Sequence, residues 1–562
     1  MKTCNQCKSQ FEITDDDKEF FDRVSPIFGG KKYPIPEPTL CPDCRQQRRL
    51  AFVNESKLYY CKCDLTGKQI ISIYHPDSPF KVYNQKDWNG QKGWDPLDYG
   101  RDFDFNRPFF DQFNDLLHDV PHPSLATNYE LNQNSEFTNY SGSVKDCYLI
   151  FHADFNESCY YGYGVKKCEY CVDCTRVLEC RHCYECVDCT RCYNLKFSRD
   201  CENCSDGYLL DDCIGCHDCL GCSGLRNKQY HINNKSYSKK DYQKFFNQFQ
   251  LNHYSKIKQF KEMAKKSRLE FPKKFQHIIN CQNSYGDYLI DCKNTLCSFD
   301  CSDLEDCAYC YQLSLGAKNC HEVYQFGLNI EMCYECTITG YNTQRALFSH
   351  HITEQCHDIL YSMSCCKGSS DLLGCFGLKR EKHCILNKQY TEEEYQKLLP
   401  RIIRHMQKNH EWGEYFPMSI SPFAYNETRA QEYFPLDAKG AFRAGLKWRE
   451  DMEVKSYKGP QYEVPDRIEE VSDDILKQIL VCEETEKPYK IIPQELKFYR
   501  EHGIPIPRRC PDQRHLDRMA LRNPRKLYDR KCDNCQKPIR TTYAPDRPEK
   551  VYCEDCYLKT VY

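Results

Sequence analysis

The sequence predicts a multidomain α+β protein. Two terminal zinc-ribbon modules flank a duplicated, cysteine-rich tract of β-solenoid type, and each copy of the tract is followed by a helix. Three observations carry this prediction. Residues 41–88 and 510–557 align without a gap, CPDCRQQRRLAF against CPDQRHLDRMAL and ISIYHPDSPFKVY against IRTTYAPDRPEKVY, so the ends are copies of one module. Residues 222–242 and 375–395 align in the same way, CSGLRNKQYHINNKSY against CFGLKREKHCILNKQY. The sixteen cysteines from Cys147 to Cys222 all lie a multiple of three residues apart. A helix scatters that spacing around its surface and a flat strand alternates it between faces; short strands joined by regular turns keep it on one side.

The N-terminal module, 1–90, carries one complete pair of CxxC knuckles, Cys4, Cys7, Cys41 and Cys44. Its second set is reduced to Cys63 beside Thr66, Asn84 and Asp87. Residues 91–136 are aromatic and acidic; Asp95, Asp98, Asp102 and Asp104 have no histidine or nucleophile motif beside them, so this stretch reads as an ordered linker. The first tract with its helix occupies 137–275 and the second 276–410. Helices are expected over 239–266 and 392–409, because each opens on a capping-box pattern, Ser238 with Asp241 and Thr391 with Glu394. An extended linker, 411–465, leads to the C-terminal module, 466–562. There the complementary set is complete, Cys532, Cys535, Cys553 and Cys556, while Cys482 and Cys510 stand beside Thr485 and Gln513.

The chain has 562 residues with 42 Cys, and its mean hydropathy of −0.77 leaves no apolar run of spanning length. The opening residues MKTCNQCKSQFEITDDD lack the apolar centre of a signal peptide, so a cytoplasmic, reducing setting is expected, where CxxC pairs hold metal more often than disulfides. Two converging knuckles give a closed tetrahedral thiolate shell with no open position for catalysis. At least two Zn²⁺ ions are therefore expected, with further ions in 146–222. A coil of about 21 residues would stack Cys168 and Cys171 over Cys189 and Cys192, and Cys180 and Cys183 over Cys201 and Cys204, two candidate zinc cages. A twelve-residue offset also matches many of these cysteines, and a core of packed, unmetallated thiols is the alternative to cages.

Net charge is −3, so any nucleic-acid binding must come from local patches. Arg514, Arg518 and Arg522 fall on one helical face, with Arg45 and Arg49 at the matching N-terminal places. They read either as a phosphate-binding stripe or as a face held by structural ion pairs. Residues 238–274 hold eleven Lys and Arg against three acids, with Tyr242, Phe245 and Phe246 interleaved.

PTLCPDCRQQRRLAF, WDPLDYGRDFDFNRPFF, SISPFAYNET, AQEYFPL and TTYAPDRPEKVYCEDCY together resemble an uncharacterised family of cysteine-rich zinc-ribbon proteins from candidate-phyla-radiation (Patescibacteria) bacteria. The resemblance covers nearly the whole chain. It implies zinc ribbons in a bacterial cytoplasm and no particular activity. The function expected is a non-enzymatic, zinc-stapled binding protein that engages RNA or a ribonucleoprotein. A protein-binding assembly scaffold, a zinc-buffering store and a thiol-redox enzyme are the alternatives; membrane association is not expected.

Overall fold

A three-residue unit explains the cysteine spacing. In the first tract Lys145 pairs in parallel with Glu157, Tyr148 with Tyr160, Phe151 with Tyr163 and Asp154 with Lys166. The same step of twelve continues to Ile214 with Arg226. Each coil therefore holds four sides of three residues. The first residue of a side joins the parallel ladder, and the third is buried inside. The second turns the chain in the left-handed region, as at Asp146 (φ 54°), Leu149 (φ 49°) and His152 (φ 51°). Asn, Asp and Gly tolerate that region best, and Asp173, Asp188, Asp200, Asn203 and Asp206 all sit there.

The chain is known here as a computed structural model, which describes all residues except 92, 128–129, 451–458 and 460–461. Parts of the two expected linkers, 91–136 and 411–465, thus lie outside the described residues. The coil expected at about 21 residues is corrected to twelve. An offset of 21 is one coil and nine residues more, which lands on a different side.

The second tract keeps a step of twelve at Asp287↔Phe299 and then widens to thirteen, as at Tyr311↔Tyr324, Thr337↔His350 and Ala346↔Ile359. One extra residue per coil is why its cysteines leave the common frame. Both tracts end in a short antiparallel hairpin, Gln229–Ile232 with Lys235–Ser236 and Lys382–Ile385 with Lys388–Gln389. The helix after the first hairpin is broken where one was expected: Lys239–Gln248 ends, Gln250 turns left-handed (φ 50°), and Tyr254–Glu270 begins after an extended His253. The second, Glu392–Lys408, carries the full Thr391/Glu394 capping box.

The architecture is mixed α/β, with a Cys₄ cluster in each end module. Each module contributes a helix that starts on a cysteine N-cap with proline next, Pro42–Leu50 after Cys41 and Pro511–Met519 after Cys510. Each also contributes a strand to the segment that leads into a tract. Val82–Tyr83 pairs with His122–Pro123 ahead of the first, and Val551–Tyr552 pairs with Lys273–Lys274 ahead of the second. The linkers are ordered where described. Helix Phe109–Asp119 buries Phe109, Phe113 and Leu116, and Glu411 accepts its leading N–H groups from Phe109 at 2.9 Å and Phe110 at 2.8 Å.

Candidate metal centres and a basic surface

The four knuckles of the two modules are built alike, whether or not their ligands survive. The Cys4 N–H donates to Ser9 O at 2.9 Å, and Lys8 N–H donates back to Cys4 O at 3.1 Å. The same two bonds recur at Cys532 with Lys537 and Gln536, at Cys63 with Lys68 and Gly67, and at Cys482 with Lys487 and Glu486. Lys8, Gln536, Gly67 and Glu486 close these turns with φ between 58° and 68°. The first sulfur then accepts an N–H from the opposing knuckle, from Cys41 at 3.3 Å, Cys553 at 3.3 Å and Asn84 at 3.2 Å. The turn thus forms whether or not all four cysteines are present, because backbone bonds hold it.

Where all four cysteines remain, they converge. Cys4, Cys7, Cys41 and Cys44 form one group, and Cys532, Cys535, Cys553 and Cys556 another, with all sulfurs of a group within 4.8 Å of one another. Among the described residues these are the groups of three or more potential ligands that close this tightly. Cys44 and the neighbouring Cys7, acting against burial, draw the Cys41 thiol down to about 4. At Cys532 burial opposes ionisation, but N–H groups from Cys535, Cys553 and Asn534 outweigh it and bring the thiol to about 6. The bond to Cys41 pushes the Cys44 thiol up and burial pushes the Cys553 thiol up, so each group favours a thiolate at one sulfur beside neutral neighbours; a bound metal would hold the sulfurs as thiolates.

The two expected cages in the tract do not form. Cys168, Cys180, Cys192, Cys204 and Cys216 rise in one column, since twelve residues separate each from the next. Cys171 and Cys183 lie in a second column, Cys189 and Cys201 in a third. Cys168 with Cys171 therefore does not sit under Cys189 with Cys192, nor Cys180 with Cys183 under Cys201 with Cys204. These sulfurs lie within hydrogen-bonding reach of backbone carbonyls instead: Cys168 of Lys166 O at 3.1 Å, Cys180 of Leu178 O at 3.4 Å, Cys204 of Glu202 O at 3.3 Å. They also accept N–H groups from the next coil, Cys180 N–H to Cys168 Sγ at 3.3 Å and Cys192 N–H to Cys180 Sγ at 3.5 Å.

The arginine stripe faces inward, which corrects its reading as a phosphate-binding surface. Arg514 is 4 % and Arg518 3 % exposed, and both grip Asp173 of the first tract, Arg518 at 2.9 Å. Arg522 bridges Asp188 at 2.7 Å and Asp300 of the second tract at 2.5 Å. In the N-terminal module Arg45 holds Glu322 at 2.6 Å, and Arg49 lies between Glu322 and Glu335. Sequence reasoning missed the acidic half of these pairs. Asp173, Asp188, Asp300, Glu322 and Glu335 all occupy the left-handed second position of a side, and the period of three marks that position once the inward cysteines are known.

The cations left facing solvent lie elsewhere. Helix Lys239–Gln248 exposes Lys239, Lys240 and Lys244, and helix Tyr254–Glu270 exposes Lys256, Lys258, Lys265 and Lys266. Their opposite faces pack down, Tyr242 against Tyr230 and Ile257, Phe260 and Ala264 into the core shared with the C-terminal module. Among the described residues none of these seven lysines has a carboxylate within ion-pair distance. Asp241, the acid on the first helix, accepts from Ser238 Oγ at 2.7 Å in the cap. No described helix is long and apolar enough to cross a membrane. Comparison with protein-family models, curated proteins and solved structures finds no match to this chain.

Proposed function

We propose that the protein is a non-enzymatic RNA- or ribonucleoprotein-binding protein, stapled by one Zn²⁺ in each end module, with the paired basic helices as its working surface. The observation that carries this reading is the set of seven solvent-facing lysines on helices 239–248 and 254–270, without an ion-pair partner among the described residues, in a chain of net charge −3. Lysines without carboxylate partners keep their full attraction for phosphate, and each phosphate neutralised releases counterions. Zinc fits the ends because an all-cysteine, four-ligand set of paired CxxC knuckles suits its tetrahedral preference and closes the coordination shell. Those residues would hold the ion and shape the module.

The test is fluorescence anisotropy of a labelled RNA against salt concentration. Replacing Lys239, Lys240 and Lys244 by Gln should weaken binding of all sequences alike and lower the log–log salt slope by about two to three units. Wild-type protein without measurable RNA affinity at low salt would end this reading and favour the protein-assembly scaffold. Zinc buffering has little support from the tract, whose thiols are paired with backbone groups inside a buried core.

A further inference from the structure

We infer that the outer edge of strand Gln69–Ser72, in the N-terminal module, is a docking site for an extended peptide segment of a partner protein, which adds to it as a third strand. The site is separate from the basic helices and does not rest on the RNA reading.

The register of the hairpin decides which groups face out. Strand Tyr59–Lys62 pairs antiparallel with Gln69–Ser72. Cys63 donates its N–H to Lys68 O at 2.8 Å, so the hydrogen-bonded pairs beyond it are Cys61 with Ile70 and Tyr59 with Ser72. Gln69 and Ile71 therefore turn their N–H and C=O groups to the other edge. Ile73, next in that set, donates to Ser124 O at 2.9 Å, and there the edge is closed. Towards Gln69 it opens onto a cavity of about 640 Å³ between the hairpin and the first coil of the first tract. Among the described residues nothing bonds the outward N–H and C=O groups of Gln69 and Ile71.

The C-terminal copy of the module has the same edge, filled. Its strand Pro538–Thr541 matches Gln69–Ser72, and the lead-ins to the tracts match too: Ser124 donates to Tyr83 O at 2.9 Å as Phe275 does to Tyr552 O at 3.0 Å. There Gln276 donates from Nε2 to Arg540 O at 2.9 Å, and Arg540 lies over the Tyr285 ring at 5.2 Å. Pro538 has no N–H to satisfy. The N-terminal copy has Leu125, Ile71 and Gln69 at these places. Leu125 carries no donor, Ile71 has no long arm to lay on a ring, and Gln69 restores the outward N–H.

The facing wall is also unpaired. Asp146 donates its N–H to Gln133 O of the coil before it, but Asn134 (φ 48°), at the equivalent place in the first coil, has no preceding coil to meet. Ile70, Ile71 and Leu125 supply an apolar lining, and Tyr60 and Phe137 meet with ring centroids 5.7 Å apart. Main-chain donors and acceptors along a strand edge, beside apolar side chains, match an extended peptide with apolar residues at alternate positions. The cavity has the size of a site for a short segment.

The experiment uses the full-length, metal-loaded protein and a phage-displayed library of random twelve-residue peptides, with enriched sequences resynthesised and measured by fluorescence anisotropy. Leu125→Gln, which gives the edge the side chain that closes it in the other copy, should weaken these peptides about tenfold or more. Gln69→Pro should weaken them about three- to tenfold by removing one donor, on a hairpin that already tolerates Pro538 in the other copy. Both variants should keep the wild-type melting curve and metal content. Methylating the peptide nitrogens one at a time should abolish binding at alternate positions only, which tests the pairing without altering the protein. A library that yields no binder, binders indifferent to both variants, or binding that survives methylation at every position overturns the inference. A wild-type dimer that Gln69→Pro dissolves assigns the edge to a second copy of the chain and overturns it as well.

Discussion

Within the first tract, two of every three backbone N–H groups join the parallel ladder. Lys145 donates to Asn156 O at 2.9 Å and Asp146 to Gln133 O at 3.0 Å, whereas the inward residue Cys147 turns its N–H to Ser135 Oγ at 3.0 Å. An inward side chain that is both small and a hydrogen-bond acceptor therefore answers a buried donor of the coil above. Ser198 shows the arrangement with oxygen: its Oγ donates to Lys196 O at 3.0 Å and accepts Leu210 N–H at 3.1 Å. Cysteine does the same with sulfur and adds apolar volume. Cys180→Ser should accordingly cost less than about 1 kcal/mol, whereas Cys180→Ala leaves the Cys192 N–H without its acceptor and opens a void, at about 1–3 kcal/mol. Urea unfolding of both variants checks the order; equal losses would contradict it.

A second residue-scale prediction concerns His277, where the chain enters the second tract. Burial disfavours its charge, but Asp287, 3.0 Å from Nδ1, outweighs burial and raises the group from 6.5 to about 9. A raised pKa gives stability that is complete below the unfolded value and lost as pH climbs through the folded one. The loss should run from about pH 6.5 to pH 9 and amount to roughly 3 kcal/mol. His277→Gln should flatten the stability profile across that window, and an unchanged profile would show that the pair does not carry it.

At the scale of elements, the module helices work as clamps whose jaws are arginines and whose grips are acids at left-handed corners. Asp173 meets both Arg514 and Arg518, and all three side chains are at most 3 % exposed. Removing one member of a buried pair leaves a charge without compensation, so Asp173→Asn should destabilise the C-terminal module's docking by about 3–5 kcal/mol. Limited proteolysis should then cut within 482–562 faster than in the wild type. The clamp was only half legible in the sequence. A stripe of arginines at helical spacing is the same pattern whether phosphate or carboxylate faces it, and the tract acid nearest in sequence to the C-terminal stripe, Asp300, still lies 222 residues from Arg522. The knuckles, by contrast, were readable in full, since two cysteines three apart on a tight turn fix their own geometry. Coil length fell between these cases. Every multiple of three satisfies the cysteine frame, and only the ladder partners choose twelve.

Across the whole molecule, each end module ties the entry of one tract to the flank of the other. The N-terminal module pairs with the lead-in to the first tract and grips Glu322 and Glu335 of the second; the C-terminal module pairs with the lead-in to the second and grips Asp173 of the first. The intact Cys₄ sites both serve segments that hold the second tract. Cys41 caps the helix bearing Arg45, Arg48 and Arg49, and Cys553 follows the strand that pairs with Lys273–Lys274. Chelation should therefore raise hydrogen exchange in 278–389 before it does so in 133–236, and Cys535→Ser should release one metal ion and loosen the C-terminal module while the N-terminal site stays loaded.

The proposed division, metal in the end modules and reduced thiols in the tract, is tested most directly by one measurement: native mass spectrometry of the purified protein, with metal content determined on the same sample. Two metal ions per chain, both lost in a variant carrying Cys41→Ser and Cys535→Ser, is the expected result. Three or more ions per chain, or ions retained by that double variant, would place metal among the stacked cysteines of the tract and contradict it.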